Sequence, residues 1–387
     1  MIERTLKREL LRLVSKFPVV SVTGPRQSGK TTLLRSTFAG YRYETLEDPD
    51  TMIFAREDPR SFLSAGNPMI IDEIQRVPAL FSYIQTISDQ SKENGQFVIS
   101  GSQSFLLNER ISQSLAGRVA IMHLLPFSYE EIENSGTHFP NFHELVFKGF
   151  YPRLYDHEIS PLDFYPNYIQ TYVERDVRLL QNIQDLSQFI RFLKLCAGRT
   201  GQLLNLSSLA NDVGVSVNTA KAWLSVLEAS YVIFLLRPHH MNFNKRIVKM
   251  PKLYFYDTGL ACSLLDLQSA EQLKSHYLLG GLFETFVLSE CIKYRLHRGL
   301  RNNCYFWRDH KGKEIDCLMD HGLRITPVEM KAAGTYTPNF FENIDYWNKL
   351  SGNTPENSFV IYGGDKSFPT RRGQLLSWKE TGKSMKI

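Results

Sequence analysis

The residues Gly24-Pro25-Arg26-Gln27-Ser28-Gly29-Lys30-Thr31 match G-x-x-x-x-G-K-S/T, a loop that wraps a chain of phosphates. Glycines admit the close approach, and backbone N–H groups and the N-terminus of the following helix point at the anion. Lys30 would reach the β- and γ-phosphates of ATP and the Thr31 hydroxyl would bind Mg²⁺, with Thr32 directly behind them. Asp72-Glu73 closes a short apolar run. Asp72 is placed to hold Mg²⁺ through water and Glu73 to orient and deprotonate an attacking water. Ser100, in Ser100-Gly101-Ser102-Gln103, is a candidate contact to the γ-phosphate or the attacking water, with ordinary turn chemistry as the competing reading. Arg118 is a candidate arginine finger for a neighbouring subunit's nucleotide, against a plain surface or lid arginine.

A second constellation lies near the C-terminus. A strand over 313–319 carries Asp316, and another carries Val328-Glu329-Met330-Lys331, whose two-residue period puts Glu329 and Lys331 on one face. If the strands pair, Asp316 and Glu329 could hold Mg²⁺ while Lys331 stabilises an attacked phosphodiester. Glu284, on an apparent helix, would add a third carboxylate. Solvated charge is the competing reading for any one of these residues.

The elements that must position these groups follow from patterning. Leu6, Leu10, Leu11, Leu13 and Val14 among basic residues predict an amphipathic helix over 1–16. The apolar runs Pro18–Val22, Met69–Ile71 and Phe97–Ile99, separated by helix-like stretches, predict a parallel α/β sheet, because buried parallel strands are apolar throughout and need crossover helices. Residues 1–125 are read as the ATPase core, 126–184 as a helical lid and connector ending in the charged segment Tyr172–Arg178, 185–260 as a helical region with a β-ribbon, and 261–387 as a further α/β domain.

In the third segment a helix over Ser207–Val213 turns at Gly214, and Ser216 caps a second helix whose Ala220, Trp223, Leu224 and Leu227 face inward. Strands Tyr231–Leu236 and Lys252–Tyr256 then form a wing with a basic tip at Asn242–Lys249, which makes the segment a winged helix. Residues 191–252 hold nine Lys or Arg against two acidic residues, a local +7. Such side chains contact phosphate without regard to sequence. Asn218, Lys221, Lys245, Arg246 and Lys249 are the candidate DNA contacts, and packing against the ATPase domain or another protein is the alternative.

Composition bounds the rest. At 387 residues, and roughly 150 per domain, two to three domains are expected. With 43% hydrophobic and 22% charged residues the chain is neither disordered nor collagen-like. No apolar run approaches the roughly 20 residues of a membrane-spanning helix, and charges from Glu3 to Lys16 break any secretory signal, so the expectation is a cytoplasmic protein with no membrane partner. Five cysteines, without C-x-x-C, are expected to be reduced thiols that mostly pack.

Taken together the chain resembles a prokaryotic family of P-loop ATPases of the AAA+ superfamily that joins an ATPase core, a winged helix and a C-terminal domain of unknown function with a restriction-endonuclease-like fold. The resemblance spans nearly the whole chain. It rests on Gly24–Thr31, Ile70-Ile71-Asp72-Glu73, Ser100-Gly101-Ser102, Gly149-Phe150-Tyr151-Pro152, Lys252–Gly259, Phe283-Glu284, and Glu314-Ile315-Asp316 with Glu329-Met330-Lys331. It implies ATP hydrolysis in a ring or other homo-oligomer, such as a hexamer, coupled to DNA or to a protein. The pairing of a winged helix with a restriction-like fold points to DNA ends, forks or four-way (Holliday) junctions. Many AAA+ proteins have Asn or Thr where Ser100 stands, so its sensor role departs from the pattern. The expected function is an ATP-driven motor, a helicase or translocase on branched DNA, with a nuclease-like domain. The alternative is a nucleotide-dependent signalling or scaffold ATPase whose C-terminal domains bind proteins.

Overall fold

Three apolar runs become the centre of a five-stranded parallel sheet. The computed structural model describes residues 2–102, 114–173, 186–239 and 249–385. Strands β1 (Val19–Thr23), β2 (Arg42–Thr45), β3 (Met69–Asp72), β4 (Phe97–Gly101) and β5 (Val119–His123) lie in the order β2-β3-β4-β1-β5. Every pairing is parallel, with Val19 opposite both Phe97 and Val119. Alternate residues of β1 point to opposite faces. Val19 packs with Phe62, Phe81 and Phe97 on one side, whereas Val20 and Val22 pack with Leu6, Leu10 and Leu34 on the other. Each such buried side chain contributes about 1.5–3 kcal/mol.

Helices α1 (Leu6–Val14), α2 (Lys30–Thr37), α3 (Pro49–Glu57), α4 (Pro59–Ser64) and α5 (Leu80–Ser91) complete this layer. The start of α1 buries Leu6, Leu10 and Leu13, one face of a helix at 3.6 residues per turn. Asp48 and Asp58 cap α3 and α4 by accepting the Thr51 and Ser61 N–H groups, each followed by a proline whose missing N–H costs nothing there.

The chain divides into two compact units. One contains residues 1–127, 229–231 and 296–300, and the other 128–228, 232–295 and 301–387. In the second, α6 (Phe142–Lys148), α7 (Pro161–Tyr168) and α8 (Leu186–Ala197) precede α9 (Leu206–Val213) and α10 (Val217–Ala229). Gly214 ends α9 in the left-handed conformation, φ 87°, and Ser216 accepts the Thr219 N–H at 3.0 Å. Strands β6 (Ile233–Leu236) and β7 (Lys252–Phe255) form an antiparallel ribbon. Just past the end of β6 the Phe306 N–H donates to Arg237 O at 3.1 Å and the His239 N–H to Phe306 O at 2.7 Å, which ties the ribbon to the following sheet.

After α11 (Thr258–Leu264) and α12 (Leu279–Leu296) come β8 (Cys304–Arg308), β9 (Glu314–Asp320), β10 (Ile325–Lys331), α13 (Glu342–Ser351), β11 (Phe359–Tyr362), β12 (Phe368–Thr370) and β13 (Gly373–Ser377). Their mixed sheet has the order β12-β13-β11-β10-β9-β8, and Trp307, Trp347 and Ile315 centre its core. All five cysteines are buried free thiols. No helix among the described residues is long and apolar enough to cross a membrane.

Candidate functional site

The first cluster forms where parallel strands end, the side on which open α/β sheets bind ligands. Gly24, directly after β1, could not be another residue. Its φ is 154°, and an added Cβ would lie 2.0 Å from Leu124 O. Gln27 and Gly29 also adopt positive φ, 59° and 90°, which turns the loop back to start α2. Pro25 and Ser28 are buried in the loop and Arg26 lies half-buried. Lys30 is 6% exposed, and its Nζ donates to Gly24 O at 2.9 Å and Pro25 O at 2.8 Å. Among the described residues the buried hydroxyl of Ser28 has no hydrogen-bond partner. Thr32 is exposed on the first turn of α2.

Asp72 ends β3 and is a hub. Thr31 Oγ1 donates to its Oδ2 at 2.6 Å, Ser100 Oγ to Oδ1 at 2.5 Å, Tyr43 OH to Oδ2 at 3.1 Å and the Glu73 N–H to Oδ1 at 3.2 Å. The Thr31 and Asp72 oxygens therefore fit a shared Mg²⁺. Burial, aided by Asp72, pushes the Tyr43 phenol up to about 12. Glu73 takes a left-handed conformation, φ 55°, costly for a residue with a side chain and typical of functional strain. Its Oε2 accepts from Gln75 and, at 3.1 Å, from Ser102 Oγ. Ser100 thus bonds to the carboxylate beside it.

Arg118 stands elsewhere. It precedes β5 at the starting edge of the sheet, while the phosphate loop follows the far end of β1, about 13 Å away at roughly 3.3 Å per residue. Its guanidinium grips Asp89 at 2.5 and 3.0 Å. It is not part of its own chain's site.

Sequence reasoning missed three supports of this site. Arg4, 7% exposed, donates to Ser28 O at 2.8 Å and Leu125 O at 2.6 Å. Tyr43 comes from the edge strand β2. Thr23, the residue before Gly24, shares a hydrogen-bonded triangle with His123 and Tyr231 at 2.7–2.9 Å. Burial lowers the pKa of His123. These contacts join positions up to 208 apart in sequence, so no local pattern marks them.

The second cluster assembles as its spacing predicts. Pairing of β9 with β10 brings the Asp316 N–H to Glu329 Oε1 at 3.3 Å and the Met330 N–H to Asp316 Oδ2 at 2.8 Å. Lys331 Nζ lies 2.6 Å from Glu329 and 3.9 Å from Asp316. Asn343 donates to Glu329 at 3.3 Å. Desolvation, then Asp316, raises Glu329 to about 8 and Glu284 to about 7. For Lys331 and Lys252 burial opposes the charge, but neighbouring carboxylates outweigh it and raise both. Among the described residues, however, no three acidic, histidine or cysteine side chains stand in a group that could hold a metal ion.

The structure corrects the charge argument for the middle segment. Lys252 was counted among basic residues available to phosphate, yet it is 3% exposed and ion-paired with Glu314. Lys194 pairs with Asp266 at 2.7 Å, and Arg199 with Asp212. Asn218 and Lys221 are exposed in the N-terminal part of α10, and Lys249 is exposed three residues before β7. Lys245, Arg246 and most of the charged segment before Arg178 lie outside the described residues.

The quoted motifs between the clusters hold the fold. Asp257 accepts from the Phe150 N–H and Tyr165 OH, both at 2.7 Å, and caps α11 through the Leu260 N–H at 2.9 Å. A Cβ on Gly149 would lie 1.9 Å from Tyr165 OH.

A phosphate loop on a parallel sheet, with an acidic pair at the end of β3, one strand removed from β1, defines a P-loop ATPase, and residues 16–133 match the family described as an AAA domain. Residues 139–271 and 279–381 match two further families, each described as a domain of unknown function, DUF8612 and DUF4143. The chain belongs to the family of uncharacterized protein Rv2008c of Mycobacterium tuberculosis and uncharacterized protein Mb2031c of Mycobacterium bovis. It is 30% identical to each over 371 residues, which cover 95% of this chain and 81% of each relative. Among solved structures, the Walker-type ATPase PABY2304 of Pyrococcus abyssi aligns over 68% of this chain and 96% of its own, at 15% identity and TM-score 0.46. The ORC2 protein of Aeropyrum pernix in its ADP form aligns over 59% and 84%, at 14% identity and TM-score 0.30.

Proposed function

We propose that this AAA ATPase is a DNA-acting motor, in which ATP hydrolysis at Gly24–Thr31 drives remodelling of branched or structured DNA. The 2.6 Å contact between Thr31 and Asp72 carries the ATPase half, because it puts two Mg²⁺-binding oxygens together beside a buried lysine. Bound Mg²⁺ would neutralise charge on the β- and γ-phosphate oxygens. Lys30 exchanges its carbonyl partners for phosphate, Glu73 accepts a proton from the attacking water, and Ser100 orients Asp72. Arg118 serves a neighbouring subunit in a homo-oligomer once it leaves Asp89, and Arg118→Ala should remove any rise of specific activity with protein concentration.

Support for the DNA half is the helix–turn–helix of α9 and α10 with its attached ribbon, read as a winged helix that presents Asn218, Lys221 and Lys249. The C-terminal unit is read as restriction-endonuclease-like, with Asp316, Glu329, Lys331 and Glu284 as the site of any Mg²⁺-dependent cutting. The test is a panel of duplex, forked and four-way DNAs scored by ATPase rate. Stimulation by branched DNA that vanishes in Lys30→Ala is expected, and a flat rate with no salt-sensitive binding would sink the motor. Identical cleavage products from wild type and Asp316→Ala would remove Asp316 from cutting. The internal pairing of Lys194, Arg199 and Lys252 favours the second reading, a scaffold ATPase whose C-terminal unit binds protein. Nuclease-resistant protein complexes together with a DNA-independent ATPase rate would support that one.

A further inference from the structure

The C-terminal carboxylates hold a cation delivered from outside their own sheet. Lys252 opens β7 of the ribbon and is 3% exposed. Its ammonium is paired with Glu314 and lies 3.7 Å from Glu284 Oε2, with the Phe306 ring 5.7 Å away. Tyr254, two residues along and so on the same face of the strand, donates its hydroxyl to the same Glu284 oxygen at 3.0 Å. Asp316, Glu329 and Lys331 form the rest of the cluster. With every group ionised the set is four carboxylates against Lys252, Lys331 and the Arg308 guanidinium that pairs with Glu314 at 3.3 Å, formally −1, and −2 without Lys252. A buried ammonium is tolerated only where opposite charge surrounds it, and here one partner, Glu284, is a side chain that metal binding would need.

We propose that Lys252 is the resident cation of this cluster and closes it to divalent metal ions, so that the ribbon carrying Lys252 decides whether the carboxylates can take a metal. The side chain lies between Glu284 and Glu314, where a metal bound by Glu284 would have to displace it. The inference rests on reading these carboxylates as one site; it does not depend on the motor.

The test is Mn²⁺ titration of the full-length chain without nucleotide, read by the electron paramagnetic resonance signal of free Mn²⁺. Lys252→Met should gain a site that wild type binds at least about tenfold more weakly, since a neighbouring positive charge has gone. Adding Asp316→Asn should abolish that gain. Equal Mn²⁺ binding by wild type and Lys252→Met overturns the proposal, as does a gain that survives Asp316→Asn. Should Lys252→Met fail to fold, Lys252→Met with Glu314→Gln removes one charge of each sign. That pair must show the same gain, and its absence overturns the proposal. DNA-stimulated ATPase, measured on the same preparations, reports on the motor alone.

Discussion

Replacing Lys30 by Ala should separate phosphate binding from folding. The ammonium is 6% exposed and donates to two neutral carbonyls of its own loop. Losing those hydrogen bonds costs about 1.5–3 kcal/mol each, while relief from burying the charge returns several kcal/mol. The two nearly cancel, and the protein without nucleotide should melt close to wild type. ATP is different. A unit charge about 4 Å from a phosphate charge, at an effective dielectric constant of about 20, gains about 4 kcal/mol. Subtracting part of that for the carbonyl bonds given up leaves about 2.7 kcal/mol, or about a hundredfold in Kd. At a nucleotide concentration of about 100 times the wild-type Kd, binding stabilises wild type by about 2.7 kcal/mol and a hundredfold-weaker variant by about 0.4 kcal/mol. Thermal denaturation with and without Mg²⁺-ATP reads this difference directly. If Lys30→Ala keeps the full nucleotide-induced shift, Lys30 does not hold phosphate; if it unfolds without nucleotide, the lost hydrogen bonds outweigh the relief from burying the charge.

Two further outcomes follow from the supporting contacts. Asp257→Ala strips the acceptor from two backbone N–H groups and the Tyr165 hydroxyl; at about 1–3 kcal/mol per orphaned buried group, urea unfolding should show a loss of at least about 3 kcal/mol, and a loss under 1 kcal/mol would remove Asp257 from the core of the second unit. Because burial lowers the His123 pKa from 6.5, the unfolded chain takes up the proton more readily than the folded one, so stability should be level above about pH 7 and fall as pH drops below about 6.5. His123→Asn should flatten that slope in melting temperature, and parallel curves for the two proteins would show that His123 is not the titrating group.

The central strands were readable because parallel strands buried on both faces are apolar at every position. Strands β1, β3 and β4 start within a residue of the apolar runs that announce them. The edge strands β2 and β5 were not readable: Arg42-Tyr43-Glu44-Thr45 is only half-buried and carries no run. Tyr43, on that strand, was missed with it. The helix–turn–helix could be read from Gly214 and Ser216, since capping and left-handed turns are local requirements. Charge was misleading in the same region. Composition counts Lys252 as basic surface, whereas its strand turns it inward onto Glu314.

The sequence alone determined the phosphate loop, since glycine at 24 and 29, lysine at 30 and a hydroxyl at 31 are demanded by geometry within a few residues. It also determined the alternation that puts Glu329 and Lys331 on one face. Tertiary structure decided what lies across from these groups. Only strand order places Thr31, Tyr43 and Ser100 on the Asp72 carboxylate, and only the ribbon's attachment to β8 brings Lys252 among the carboxylates. Backbone conformation and strand period are set by neighbouring residues, but the electrostatic state of a buried carboxylate is set by whichever charges the fold packs against it, and these come from any distance along the chain.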